Sequence, residues 1–164
     1  MRWAMNDSMA SILLGMGSAP SLETLPRRLA SIAKAGVRRS DDSVRLVRSE
    51  VKTPPPAGFD DYRAEAWSNK IYLDSTLPAS DPAWRTELAG WGVAVAQTLL
   101  CSARDLFDLP VQARVSLQSA PGEEDPETDF ASGALHLYCI RSRSDDDWSQ
   151  LQHWTQPVLV LTIP

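Results

Sequence analysis

The sequence predicts an α+β domain. Its expected plan is a ferredoxin-like βαββαβ unit, an antiparallel sheet with helices on one face, extended at the C-terminus by a further β-α-β. Three observations carry this reading. Trp84, Leu88, Trp91, Val95, Leu99 and Leu106 keep one helical stripe through residues 83–107. Strand-length apolar or alternating runs lie on both sides of that stripe. The two kinds of segment then follow one another as β-α-β-β-α-β-β-α-β, and the first six match the split βαβ arrangement.

One α+β domain spanning 1–164 is expected, in which residues 1–10 show no clear period and read as a flexible leader or partly ordered tail. Ser11 to Ser18 reads as a buried strand ending in a glycine turn at Gly15 and Gly17. Thr24 suits a helix cap with Pro26 tolerated in the first turn; Leu22, Leu25, Leu29 and Ile32 share a face, and Gly36 ends the helix. Ser43 to Lys52 is β-rich, with Val44 and Leu46 on one side and Val47 and Val51 on the other. Lys70 to Thr76 is the next strand, and Asp81-Pro82 is a strong start for the long helix. Ala113–Gln118 and Ala134–Ile140 alternate as half-buried strands around an acidic Pro/Gly loop at 119–130. Asp145 to Asp147 favour the N-terminus of a short helix with Trp148, Leu151 and Trp154 on its apolar side, and Pro157 to Ile163 closes the chain as a strand.

With 164 residues and 43% hydrophobic composition, the chain can bury the core of one globular domain. The net charge of −5 is unevenly placed. Residues 1–52 hold nine Lys/Arg against five Asp/Glu, about +4; residues 53–164 hold seven against sixteen, about −9. Nine cations spread over a third of the chain do not form a nucleic-acid stripe, so nucleic acid is not an expected partner. Two cysteines, Cys101 and Cys139, are too few for a disulfide framework or a zinc site. No apolar run approaches a membrane span, and Ile12 to Leu14 is too short for a signal-peptide core. A cytoplasmic location without membrane partners is the expectation.

The chain is organised around Val51-Lys52-Thr53-Pro54-Pro55-Pro56-Ala57-Gly58, followed shortly by Trp67-Ser68-Asn69. Three prolines fix φ and supply no N–H donors, so this loop is stiff and cannot join a sheet. Trp67 and Asn69, two apart at an expected strand entrance, face the same side. There a flat heterocycle can stack on the indole while the amide bonds its edge.

These stretches, in this order, resemble the 6-hydroxymethyl-7,8-dihydropterin pyrophosphokinase (HPPK) family of folate biosynthesis. Gly15-Met16-Gly17-Ser18-Ala19 is similar to its Gly-x-Gly-Ser-Asn turn, and Thr53 to Gly58 to its Thr-x-Pro-x-Gly loop. Trp67-Ser68-Asn69 is similar to its aromatic-x-Asn pair, and Thr76-Leu77 lies near its Thr-x-Leu. The resemblance spans residues 11–100 and implies a pterin pocket formed by Thr53, Pro54, Pro55, Trp67 and Asn69. It also implies ATP and two Mg²⁺ held by an Asp-x-Asp, should the family's transferase activity be retained. The matching strand reads Ser132 to Tyr138 without a carboxylate pair, and Ala19 replaces the turn's Asn. A pterin-binding protein with lost or altered pyrophosphokinase activity is therefore expected, with no metal ligand or catalytic residue assigned.

The alternative is a non-enzymatic interaction module, such as an inhibitor, immunity protein or assembly subunit, with a protein partner. Glu50-Val51-Lys52 with Asp42 upstream superficially matches a metal-nuclease pattern, but eight residues along one strand do not bring the groups together. His136 and His153 lack metal-ligand spacing, and His136 reads as a half-exposed sheet residue; Arg104 and Arg114 are isolated.

Overall fold

The fold was obtained as a computed structural model that describes residues 1–120, 130–141 and 148–164. Asp125, Glu127 and Asp129 of the acidic loop, Asp145 to Asp147 and the side chain of Trp148 lie outside the described residues. The strands are β1 (Arg2–Met5), β2 (Val37–Ser40), β3 (Ser43–Leu46), β4 (Ile71–Asp74), β5 (Val111–Ala120), β6 (Phe130–Cys139) and β7 (Val158–Ile163). The helices are α1 (Asp7–Met16), α2 (Arg27–Ala35), α3 (Asp61–Ser68) and α4 (Ala83–Ala103), with a 3₁₀ turn at Trp148–His153. Five strands form one antiparallel sheet in the order β1-β7-β5-β6-β4, and β2 and β3 form a separate hairpin. The α+β class holds, and the arrangement is compatible with a ferredoxin-like plan carrying extra elements.

The sheet's pleat sorts its side chains. Val111, Ala113, Val115 and Leu117 of β5, Leu135 and Leu137 of β6, and Leu159, Leu161 and Ile163 of β7 are fully or almost fully buried. The register sets these residues directly opposite one another, Val115 against both Leu135 and Leu159. They meet α4, whose Leu88, Val95 and Leu99 are also fully buried. Each such side chain contributes roughly 1.5–3 kcal/mol through burial. Gly92 lets the helix approach closely: a Cβ there would stand 2.6 Å from Val115 Cγ1 and 3.3 Å from Leu73 Cδ1. α1 and α2 pack in turn on α4.

The other face carries Gln112, Arg114, His136, Tyr138, Val158 and Val160, and α3 and the 3₁₀ turn cover it. Leu151 and Trp154 pack on Val158 and Val160. A polar row crosses three strands here. The Tyr138 hydroxyl donates to Gln112, whose Nε2 donates to Thr162 Oγ1 at 3.1 Å.

Several expectations for the N-terminal half need correction. Residues 1–10 are not a loose leader: β1 pairs with β7, Trp3 opposite Leu161. The expected strand at 11–18 is the second half of α1. Asn6 caps that helix, accepting from the Met9 and Val158 N–H groups while its Nδ2 donates to the Trp154 and Gln156 carbonyls. The expected strand 43–52 stops at Leu46, and Val47 is half exposed. Trp67 does not enter a strand; it lies in the last turn of α3, which Asp60 caps by accepting from the Arg63 N–H at 2.8 Å. α4 ends at Ala103, so Leu106 lies beyond it and is 40% exposed.

Both sides of the β4–β6 edge are closed by side chains. On β4, Arg28 Nη2 donates to the Tyr72 carbonyl at 2.6 Å and the Tyr72 N–H donates to Glu50 at 3.1 Å, while Arg28 and Glu50 pair with each other. This occupies the backbone groups that an invading strand would need. Beyond Leu135, where β4 no longer pairs with β6, Glu65 and Asn69 fasten β3 to the sheet. Glu65 accepts from the Val44 N–H at 2.5 Å, the Cys139 N–H at 3.3 Å and Arg141 at 2.6 Å.

Candidate functional site

A cleft of about 290 Å³ opens between α3 and the outer sheet face. Its lining is Phe59, Tyr62, Arg63, Ala66 and Trp67 with Arg114 and His136. The first five recur at helical spacing from the residue before the Asp60 cap, so one face of α3 presents three aromatic rings. Phe59 meets Trp67 edge-to-face at 6.1 Å, and Tyr62 meets Tyr138 edge-to-face at 4.6 Å. Such contacts hold rings at fixed angles and leave their remaining faces for a ligand.

The floor comes from the sheet. Arg114 and His136 are direct partners in the β5–β6 register. His136 Nδ1 lies 3.2 Å from the Ala66 carbonyl of α3. A carbonyl needs an N–H, so Nδ1 carries the proton and Nε2 is left as an acceptor. Burial pushes the His136 pKa down to about 4, helped by the positive charge of Arg114, against the upward pull of the Ala66 hydrogen bond; Lys70 lowers it further. The imidazole is therefore neutral across the physiological range. The guanidinium of Arg114 lies over the Trp154 ring, 5.2 Å from its centroid.

Two buried donors in this lining, Trp67 Nε1 and Arg114 Nε, have no hydrogen-bond partner among the described residues. An unpaired buried donor costs roughly 1–3 kcal/mol, and such groups are few in folded proteins. The lining residues thus combine aromatic rings, two unpartnered buried donors and a neutral imidazole.

Of the five residues expected to form a pocket, the structure brings only Trp67 to this cleft. Thr53, Pro54 and Pro55 are exposed in the 47–59 connection and are not part of the lining. Asn69 is fully buried at the C-terminus of α3, facing away from the role expected of it. Its Oδ1 accepts from the Leu46 N–H at 3.0 Å, and its Nδ2 donates to the Val44 and Leu137 carbonyls at 2.7 and 3.1 Å. Both donor positions and the carbonyl oxygen of that fully buried amide are engaged with backbone, so it is not presented to a ring edge. His136, expected as a half-exposed sheet residue, and Arg114, expected as isolated, are the cleft-lining residues that sequence reasoning passed over. Phe59, Tyr62 and Ala66 were detectable as a helical stripe leading to Trp67.

The Mg²⁺ pair implied by the resemblance has no matching donor set. No cluster of three or more His, Cys, Asp or Glu capable of holding a metal ion occurs among the described residues. At the expected carboxylate positions of β6 stand Ser132, Ala134 and His136, and the last of these uses a ring nitrogen on α3. The described residues therefore do not fit the ion pair, and no step is derived through it. The Asp74 carboxylate at the end of β4 is 66% exposed and lies 3.5 Å from Arg28. No helix among the described residues is long and apolar enough to cross a membrane. Comparison with protein-family models, curated proteins and solved structures returned no match to this chain.

Proposed function

We propose that this protein binds a small, flat, heteroaromatic molecule of pterin-like size and polarity in the cleft between α3 and the sheet. The observation that carries the reading is the pair of unmet buried donors, Trp67 Nε1 and Arg114 Nε, in an aromatic-lined cavity of about 290 Å³. A ring carbonyl or ring nitrogen would supply the missing acceptors, and a ring N–H would meet His136 Nε2. Apolar walls with a few convergent polar groups are the usual composition of small-molecule sites. The proposal concerns binding; pyrophosphoryl transfer is not part of it, because positioned metal ions carry most of that chemistry.

Calorimetry with pterin, and separately with its saturated tetrahydro ring, tests this. Pterin should bind with one-to-one stoichiometry and the non-planar ring more weakly. Trp67→Phe removes the indole N–H and Arg114→Met removes the charged guanidinium, so each should weaken binding roughly tenfold or more. Absence of heat with the parent protein would reject the proposal and leave the interaction-module reading in its place.

A further inference from the structure

A second cavity, of about 440 Å³, lies between α2 and residues 48–50, apart from the aromatic cleft. Arg27, Arg28, Ser31, Ile32, Arg48, Ser49 and Glu50 line it. The charges in this cavity are unequally committed. Glu50 is spent on Arg28 and on the Tyr72 N–H, and Arg28 also serves the Tyr72 carbonyl and lies near Asp74. That pair belongs to the edge closure of β4 and is internally neutralised. Arg48 reaches only the Ser31 hydroxyl oxygen, which accepts from it. Arg27 makes no ion pair or side-chain hydrogen bond among the described residues. Two guanidinium charges, Arg27 from α2 and Arg48 from the facing segment, and the Ser31 hydroxyl proton are therefore left over in the lining, while the Ser49 hydroxyl is already donated to the Ser68 and Val51 carbonyls.

We propose that this cavity is a binding site for a small organic phosphate monoester, with the phosphoryl group held by Arg27, Arg48 and the Ser31 hydroxyl. Two uncompensated guanidiniums match the charge of the dianion, which is close to −2 at neutral pH. The donors in this lining outnumber what the two oxygens of a carboxylate accept, whereas three terminal phosphoryl oxygens can take them in forked pairs. The cavity is also larger than an inorganic ion needs. Ile32 is the apolar residue of the lining and borders the space left for the organic body of the ester.

The test uses phenyl phosphate at constant ionic strength, followed by calorimetry, with benzoate and inorganic phosphate alongside. Phenyl phosphate should bind one-to-one, more tightly than either comparison compound. The double variant Arg27→Gln, Arg48→Gln should lose at least about tenfold in affinity, since both residues are exposed and their charge-assisted bonds are the strong ones. Lys34→Gln, an exposed cation on the same helix outside the cavity, and Arg114→Met, in the other cleft, should leave the affinity unchanged. Equal weakening by Lys34→Gln and the double variant would reduce the effect to diffuse charge and overturn the proposal. So would loss of binding in Arg114→Met, which would place the ester in the aromatic cleft, or no binding to the parent protein. Unchanged melting of the double variant confirms that the readout is not unfolding.

Discussion

Replacing Asn69 by alanine should unfold the protein more readily, whatever it does to ligand binding. The side chain is fully buried, and its three hydrogen bonds tie the Val44 and Leu46 backbone of β3 to β6 at Leu137, beyond the end of β4. Each such bond contributes roughly 0.5–1.5 kcal/mol net, and a buried N–H left without a partner, here that of Leu46, costs about 1–3 kcal/mol. The combined loss is about 3–5 kcal/mol. For a domain of this size each kcal/mol lowers the melting temperature by roughly 2–4 °C, so a fall of about 10 °C or more is expected by calorimetric scanning. Asn69→Asp sharpens the test because it preserves shape. An oxygen would then face the Val44 and Leu137 carbonyl oxygens where Nδ2 now donates, and this variant should be at least as unstable as Asn69→Ala near neutral pH. An unchanged melting point in both variants would refute the assignment of Asn69 as a structural clip.

Three further outcomes follow from the packing and from His136. Leu99→Ala, at a fully buried position of α4, should cost about 2–5 kcal/mol in urea unfolding through lost transfer energy and a cavity. Gly92→Ala forces a methyl to 2.6 Å from Val115 and should cost about 1–3 kcal/mol, with Val115→Ala in the same chain restoring part of the loss. His136 has its pKa lowered to about 4 in the fold, against 6.5 when unfolded, so the unfolded chain takes up the proton first as pH falls. Its contribution is complete above the unfolded value and is lost between the two, amounting to roughly 2 kcal/mol from pH 7 to pH 5. His136→Gln should flatten that part of the pH dependence of the urea midpoint.

The C-terminal half was legible because its elements are long or regular. The α4 stripe from Trp84 to Leu99 repeats over about four turns, and β5, β6 and β7 show alternating or continuous apolar runs of strand length. α1 was misread for a physical reason. An apolar run such as Ile12-Leu13-Leu14 suits a strand or a helix, and what decides is Asn6, whose partners on Trp154, Gln156 and Val158 lie about 150 residues away in sequence. The turn at Trp67–Asn69 was misread similarly. The helical spacing of Phe59, Tyr62, Ala66 and Trp67 competes with the strand that starts at Ile71, and the Asp60 cap settles it for helix. Half of the cleft was not legible locally, since Arg114 and His136 meet only through the β5–β6 register.

The central claim, that the cleft's unmet donors read a flat heterocycle, is tested most directly at the Trp67 indole proton. The protein has six tryptophans, so a nitrogen–proton correlation spectrum resolves up to six indole signals, and Trp67→Phe identifies one of them. On titration with pterin, the account predicts that the Trp67 indole proton moves downfield as it gains an acceptor, saturating at one equivalent, while the Trp3, Trp84 and Trp91 signals stay in place. A saturating shift confined to other tryptophans, or none at all on Trp67, would contradict it.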